Sequence, residues 1–483
     1  MTIHKTLLLA STAAALLATS TPSWAQTKIS AYMNSLYSTT SEPVSGPAMS
    51  GLIEEYKKLK PDVTIEPIDN MSDVNAYQAW LTTRFAGGDQ PDIAWQQFYQ
   101  RNAEGSELWL PLNDYMEKPN PYVPEGQPGH DRWADLFFPN VLAQIRAGDG
   151  NWYQVNTDWV ETGFYTNTKL LADNGVDPST WKTWGDMIQS CKDLRAKNIE
   201  PIGVFMTPEW STYQWLDDII ITGAWADQIQ SWYLPQYSSE YLPWRQLNQE
   251  EFAKAVKEGK FSTKDPRFDT YLKLTKDVAD NCLVKGFAGI AQYDDVYKLF
   301  NDGSVAMAWL GSWSAPTLSQ LPFEVGSTYI PPFGPDDSAY EINKSSYRVG
   351  GPSSSGQLGL TAITTQRGTA DAASDFLMYL TVPANYQKIA DVVQGNIPMI
   401  RGVTPSKAAA GFQAIAQLPE RGLTDPIGRL TQQFGTEHNR LFQSFMIGEL
   451  SADDLKAQYQ RALDKAVQDL CDEKSDSWAW CNE

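Results

Sequence analysis

Strand-like and helix-like segments alternate from residue 28 onward, and that rhythm leaves few folds open. Lys28 to Met33 is an apolar strand pattern, and Met49, Leu52, Ile53, Tyr56 and Leu59 then recur at helical spacing. Pro61-Asp62 marks a turn, and Val63 to Ile68 alternates like a second strand. A further helical pattern covers about residues 73–85 and ends at Gly87-Gly88, after which Pro91-Asp92-Ile93-Ala94-Trp95 reads as a third strand. This βαβαβ order predicts a parallel sheet with helices on both faces. Ligands bind such sheets outside the carboxyl ends of the strands. Asn34-Ser35 and Gln96-Gln97 follow two of those ends.

The same alternation continues. Residues 151–167 are strand-like, 169–174 and 184–197 helical, and 199–205 a strand. Residues 119–129 are rich in Pro and Gly, and 225–244 form an aromatic, irregular insertion. Helix 293–301 precedes a short buried strand at 305–310. Residues 345–359 are rich in Ser, Gly and Pro and read as a loop or crossing segment. Helices follow at 371–380, 386–393 and 452–470, the last with Leu455, Tyr459, Leu463 and Val467 on one side.

Residues 1–25 carry the pattern of a cleaved secretory signal. Lys5 precedes the apolar run Leu7 to Ala18, and Ser23-Trp24-Ala25 places small residues where a signal peptidase reads. That run is too short for a stable transmembrane helix, and no later stretch is long enough either. A mature chain starting at Gln26 and localised to the periplasm is expected. Asp and Glu number 58 against 38 Lys and Arg, a field that repels nucleic acid and anionic membrane surfaces. Four cysteines in an oxidising compartment predict two disulfides. Cys471 and Cys481 close a short loop, which leaves Cys191 to pair with Cys282. Their spacings fit no zinc pattern, and no metal or cofactor is expected.

Four ordered stretches carry a family resemblance: Trp80 to Ile93; Gly163 to Leu171 leading through Thr183-Trp184 to Pro201-Ile202-Gly203; Phe300 to Trp313; and Ala372 to Thr381 followed by Gly395-Asn396-Ile397-Pro398. The chain resembles the extracellular solute-binding proteins of sugar ABC importers, the family that includes maltose-binding protein. The resemblance implies an α/β, two-lobed periplasmic-binding-protein fold with a hinge, each lobe a sheet flanked by helices. It places residues 26–158 plus 352–400 in the first lobe, and 163–349 plus 401–483 in the second. The crossings fall near 158–163, 350–351 and 401. It also implies a monomer that binds a carbohydrate and partners the permease subunits of an inner-membrane ABC transporter.

Sugars present flat C–H faces and a rim of hydroxyls, so their sites need aromatic planes and planar polar groups. The chain has 18 Trp and 22 Tyr. Trp313 follows an apolar strand and a Gly-Ser turn, so its ring emerges at a strand end; in the family, this aromatic stacks on ligand. Trp309 lies inside the same strand. Glu209, Trp210 and Tyr213 follow another strand and resemble a stretch that supplies a carboxylate and an aromatic plane in the family. Gln96, Gln97, Asn34 and Ser35 can donate and accept toward vicinal hydroxyls. Asp158, Trp159 and Glu161 flank the first expected crossing as a hydroxyl clamp or a surface pair, and Gly351 sits at the second.

Other classes fit less well. A secreted glycoside hydrolase needs two carboxylates facing each other across a sugar. The adjacent pairs Asp217-Asp218, Asp294-Asp295 and Asp336-Asp337 cannot do so. No nucleophile elbow, metalloprotease helix or phosphate loop is present. His438 is expected on the surface of a C-terminal helix. A binding protein for a polyamine or peptide would share the same two lobes.

Overall fold

The computed structural model describes residues 26–40, 44–71, 74–96, 107–147, 149–208, 211–237, 247–342, 345–351, 356–406, 409–416, 422 and 430–482. The expected signal segment lies outside them. Eleven strands follow in chain order: β1 (Thr27–Tyr32), β2 (Val63–Ile68), β3 (Ile93–Trp95), β4 (Val155–Asn156), β5 (Asp158–Trp159), β6 (Thr162–Asn167), β7 (Glu200–Gly203), β8 (Val305–Gly311), β9 (Val325–Thr328), β10 (Gln357–Leu360) and β11 (Ile397–Pro398). They form a five-stranded sheet ordered β2-β1-β3-β10-β4, a four-stranded sheet ordered β7-β8-β6-β9, and a separate β11-β5 pair.

The expected parallel sheet is only half present. β1 pairs in parallel with β2 and β3, but β10 pairs antiparallel with both β3 and β4. The reason is topological: the parallel strands are joined by helices, whereas β10 returns from the other sheet. The segment at 345–359, read as a loop, therefore ends in a strand. The second sheet is likewise mixed, with β7 and β8 parallel and β6 antiparallel to β8 and β9.

Helices cover the sheets because their apolar stripes face inward. Helix Gly46–Leu59 starts at Pro47 and buries Met49, Leu52 and Tyr56, the stripe visible in the sequence. The Tyr56 hydroxyl donates to Asp375 at 2.7 Å, tying this helix to helix Ala370–Leu380. Helix Trp184–Ala196 opens with a capping box of Thr183 and Asp186. One core lies on each face of the first sheet, and a larger one surrounds the second. No described helix is long and apolar enough to cross a membrane.

Cys191 is bonded to Cys282 and Cys471 to Cys481; the first three lie in the core around the second sheet and Cys481 packs against it. That core also overturns the placement of His438. It is 1% exposed on helix Gln432–Met446, with Nε2 3.2 Å from Asp217 and Nδ1 3.0 Å from the Tyr459 hydroxyl. The Tyr271 hydroxyl also donates to Asp217, at 2.7 Å. Two flanking helices supply partners for the imidazole, so burial does not leave it unsatisfied.

Candidate functional site

The chain passes between the sheets through a buried frame. β4, β5 and β6 run almost without a break from Val155 to Asn167, and β11 pairs with β5. Asp158 is fully buried. Its carboxylate accepts from the Gly356 N–H at 3.0 Å and from the Tyr386 hydroxyl at 3.3 Å, and the Asn396 amide also donates to it. Burial, with the Asp158 charge beside it, pushes the Tyr386 phenol well above its usual range. Glu161 is equally buried and accepts from the Trp159 indole at 2.8 Å and the Gly350 N–H at 2.7 Å. The Arg348 guanidinium lies over the Trp159 ring at 4.8 Å. A Cβ on Gly350 would sit 1.8 Å from the Val160 carbonyl, so only glycine permits this approach. Gly351 pairs with Val160 through both its backbone groups.

Asp158, Trp159, Glu161 and Gly351, expected as a hydroxyl clamp or a surface pair and as a crossing glycine, lie inside this crossing rather than on the surface. Their polar atoms have partners inside the crossing, and they hold the frame on which other groups stand.

One such group is an aromatic wall at the end of β8. The strand leads into a short turn, Ser312–Ser314, fixed on two sides. The Ser312 N–H donates to the Glu161 carbonyl at 2.7 Å, and the Tyr165 hydroxyl donates to the Ser312 carbonyl at 3.0 Å. Trp313 leaves this turn 40% exposed, the only exposed tryptophan among the described residues. Trp215 meets it edge to face, with ring centroids 5.5 Å apart and planes at 83°. Tyr293 stands behind it at 6.3 Å. Burial raises the Tyr293 phenol well above its usual range, against hydrogen bonding from Gly311 and Trp313, so it stays protonated at neutral pH. Gly395, just before β11, lies against the Trp313 backbone; a Cβ there would come within 2.7 Å of the Trp313 Cα. The wall therefore adjoins the crossing.

A row of amides ends the first sheet. The Gln96 N–H donates to the Gln357 carbonyl at 3.0 Å, and Gln357 faces Asn156 across the β10-β4 pair. The Asn156 amide nitrogen donates to the Asp158 carbonyl, linking the row to the crossing. Gln96 is 2% exposed, yet its Nε2 has no hydrogen-bond partner, and the Asn156 Oδ1 has none either. Such atoms cost about 1–3 kcal/mol each when left unpaired. Both lie at strand ends of the first sheet, where ligands bind in sheets of this kind.

Asn34 and Ser35 are half-buried in the turn after β1. Ser35 has φ 57°, and its N–H donates to Asn70 at 3.4 Å. Trp309 and Tyr213 lie in the core. Trp309 is fully buried because β8 is an inner strand; its ring packs on Phe164 at 4.8 Å and Tyr329 at 6.0 Å. Tyr213 is 1% exposed at the start of helix Tyr213–Trp225. Gln97, Glu209 and Trp210 lie outside the described residues.

The sequence reading missed Trp215, Tyr293, Gln357 and Asn156. The first two sit in the opening turns of helices, Trp215 in Tyr213–Trp225 and Tyr293 in Tyr293–Asn301. An aromatic in the first turn of a helix was the available signal. The two amides gave none, because their neighbour in space arrives from a distant strand.

The family profile of bacterial extracellular solute-binding proteins matches residues 51–419. The chain belongs to that family. An arabinooligosaccharide-binding protein of Halalkalibacterium halodurans is 22% identical over 315 residues, which span 62% of this chain and 56% of the relative's length. The structure of RafE in complex with raffinose has a TM-score of 0.57 at 19% identity, over 90% of this chain and 99% of that one. RafE from Streptococcus pneumoniae without ligand gives 0.61 at 18% identity, over 91% and 98%. A chitin oligosaccharide binding protein gives 0.59 at 19% identity, over 92% and 99%. These structural neighbours are two-lobed solute-binding proteins, and the mixed sheets flanked by helices described above match that fold.

Proposed function

We propose that this solute-binding protein holds a carbohydrate between its lobes and delivers it, unaltered, to the permease of an ABC importer. The exposed face of Trp313 carries the reading. A rigid indole at a strand end, braced edge to face by Trp215, offers a plane for the C–H face of a sugar ring. Gln96, Asn156 and Gln357 supply donors and acceptors for its hydroxyls. The sugar ligands named for the relatives and structural neighbours agree with this chemistry.

The lobes comprise residues 26–158 plus 352–400 and 163–349 plus 401–483, joined near 158–163, 350–351 and 401. The protein works in the periplasm as a monomer after removal of residues 1–25. Sugar binds one lobe, and closure follows because the closed form makes the additional contacts.

Titration calorimetry with arabino-, galacto- and chito-oligosaccharides, set beside a polyamine and a short peptide, tests the reading. Saturable heat with an oligosaccharide alone is expected. Heat only with the amine or peptide would overturn the ligand class. Product analysis after long incubation should return the oligosaccharide intact, and turnover would replace the binder by a hydrolase.

A further inference from the structure

A second concavity lies away from the aromatic wall. It opens to solvent with about 500 Å³ of space, beside the chain segment that leaves β11. Its walls include Phe137, Pro139, Leu142 and Trp152, with Arg146 and Arg401 at the rim. The site is built rather than incidental. Phe137 bridges Ile400 and Arg146 bridges Trp152 through isolated backbone pairs. The Arg401 N–H donates to the Leu136 carbonyl at 2.8 Å, and the Trp152 indole donates to the Leu142 carbonyl at 2.9 Å.

The charges in this cavity run against those of the chain. The protein has net charge −20, yet three arginines line the cavity against one carboxylate. Arg132 is already committed, bonding to Glu117 at 2.6 Å and to Asp135 at 2.8 Å. Asp135, the single acid of the lining, shares that guanidinium with Glu117. Arg146 lies over the Trp152 ring at 5.2 Å and donates through Nε to the Gly150 carbonyl at 2.7 Å. Arg401 differs. Its guanidinium lies over Phe138 at 5.2 Å, and no described carboxylate forms an ion pair with it. A guanidinium matches a carboxylate with two parallel hydrogen bonds. The volume falls within the range of small-molecule sites, roughly 300–1,000 Å³.

We infer that this cavity binds a small carboxylate with an apolar or aromatic body, its head on Arg401 and its body against Trp152, Leu142 and Phe137. The occupant is distinct from the sugar, because the walls offer apolar contact and cationic donors but no row of neutral amides.

Indole-3-acetate and its neutral amide serve as probes, titrated into the intact protein by calorimetry. The acid should bind in the millimolar range or tighter, and the amide about tenfold more weakly, the effect of losing one charge-assisted contact. Arg401→Gln should weaken the acid by about tenfold and leave the amide unchanged. Melting curves without probe establish that the variant is folded, and Arg146→Gln provides a second variant with the same expected direction. Equal binding of acid and amide, no heat at about ten times the millimolar range, or full affinity in a folded Arg401→Gln protein would each overturn the inference.

Discussion

The two sheets end in opposite chemistry. The first presents buried amides, Gln96 at 2% exposure with an unpaired Nε2 and Asn156 with an unpaired Oδ1; the second presents a ring that is exposed, with Trp313 at 40%. Their support differs as well. Three of the four cysteines and the buried Asp217–His438 pair lie in the core around the second sheet and Cys481 packs against it, while the first sheet has no covalent tie. The exposed indole is held at its base by the Ser312 bonds to Glu161 and Tyr165. Amides gathered from β4, β10 and the end of β3 are already fixed by ladder hydrogen bonds. One side thus supplies a stiff plane and the other a set of directed polar atoms, and neither suffices for a hydroxylated ring.

The largest expected effect tests the covalent half of this contrast. Cys191 and Cys282 are separated by 91 residues, and Cys471 and Cys481 by 10. By loop-closure entropy, replacing the first pair with serine costs about 4.5 kcal/mol and the second about 3 kcal/mol. Urea unfolding followed by tryptophan fluorescence checks the order of the two. If the short loop proves more costly, chain entropy does not explain the staples. Asp217→Ala comes next. It leaves His438 and Tyr271 without their shared hydrogen-bond partner, and should destabilise by about 1–3 kcal/mol for each group left unpaired. An unchanged urea midpoint would show that this network contributes nothing to the stiffness of the second lobe.

Trp313→Ala removes the plane itself. The ring is half exposed, so the fold should lose little. Sugar affinity should fall by about 1–3 kcal/mol, the scale for one well-packed aromatic contact. Calorimetry on the folded variant decides, and an unchanged dissociation constant would take the aromatic wall out of the site.

Much of this arrangement was legible in the chain. Helix Gly46–Leu59 followed from its apolar spacing, helix Tyr293–Asn301 matched its expected bounds, and Trp313 followed from a strand that stops at Gly-Ser. What the sequence hid were partners brought in from far away. β10 closes the first sheet after nearly two hundred intervening residues, so Gln357 could not be read as a neighbour of Asn156. Asp158 and Glu161 read as a hydroxyl clamp or a surface pair because they flank the expected crossing, and nothing in the sequence showed them buried. Their partners, Gly356, Tyr386, Asn396 and Gly350, lie on other crossing segments. His438 misled for the same reason, its acid being supplied by helix Tyr213–Trp225.

The smallest effect is the most discriminating, because its two readouts should move in opposite directions. Gln96→Leu replaces an amide whose Nε2 is buried without a partner. Leucine has similar bulk and no polar atom to leave unsatisfied. If Nε2 serves the sugar rather than the fold, the free variant should be as stable as the parent or slightly more so, by up to about 1 kcal/mol. The same change removes a donor to a sugar hydroxyl and should weaken binding by about 1 kcal/mol. A merely structural glutamine predicts the reverse pair: lower stability and unchanged affinity. Melting temperature without ligand and calorimetry with it therefore separate a receptive amide from a packing residue on one variant. Since Trp313→Ala should lower affinity through lost contact area alone, only the glutamine tests whether the first sheet contributes direction as well as shape.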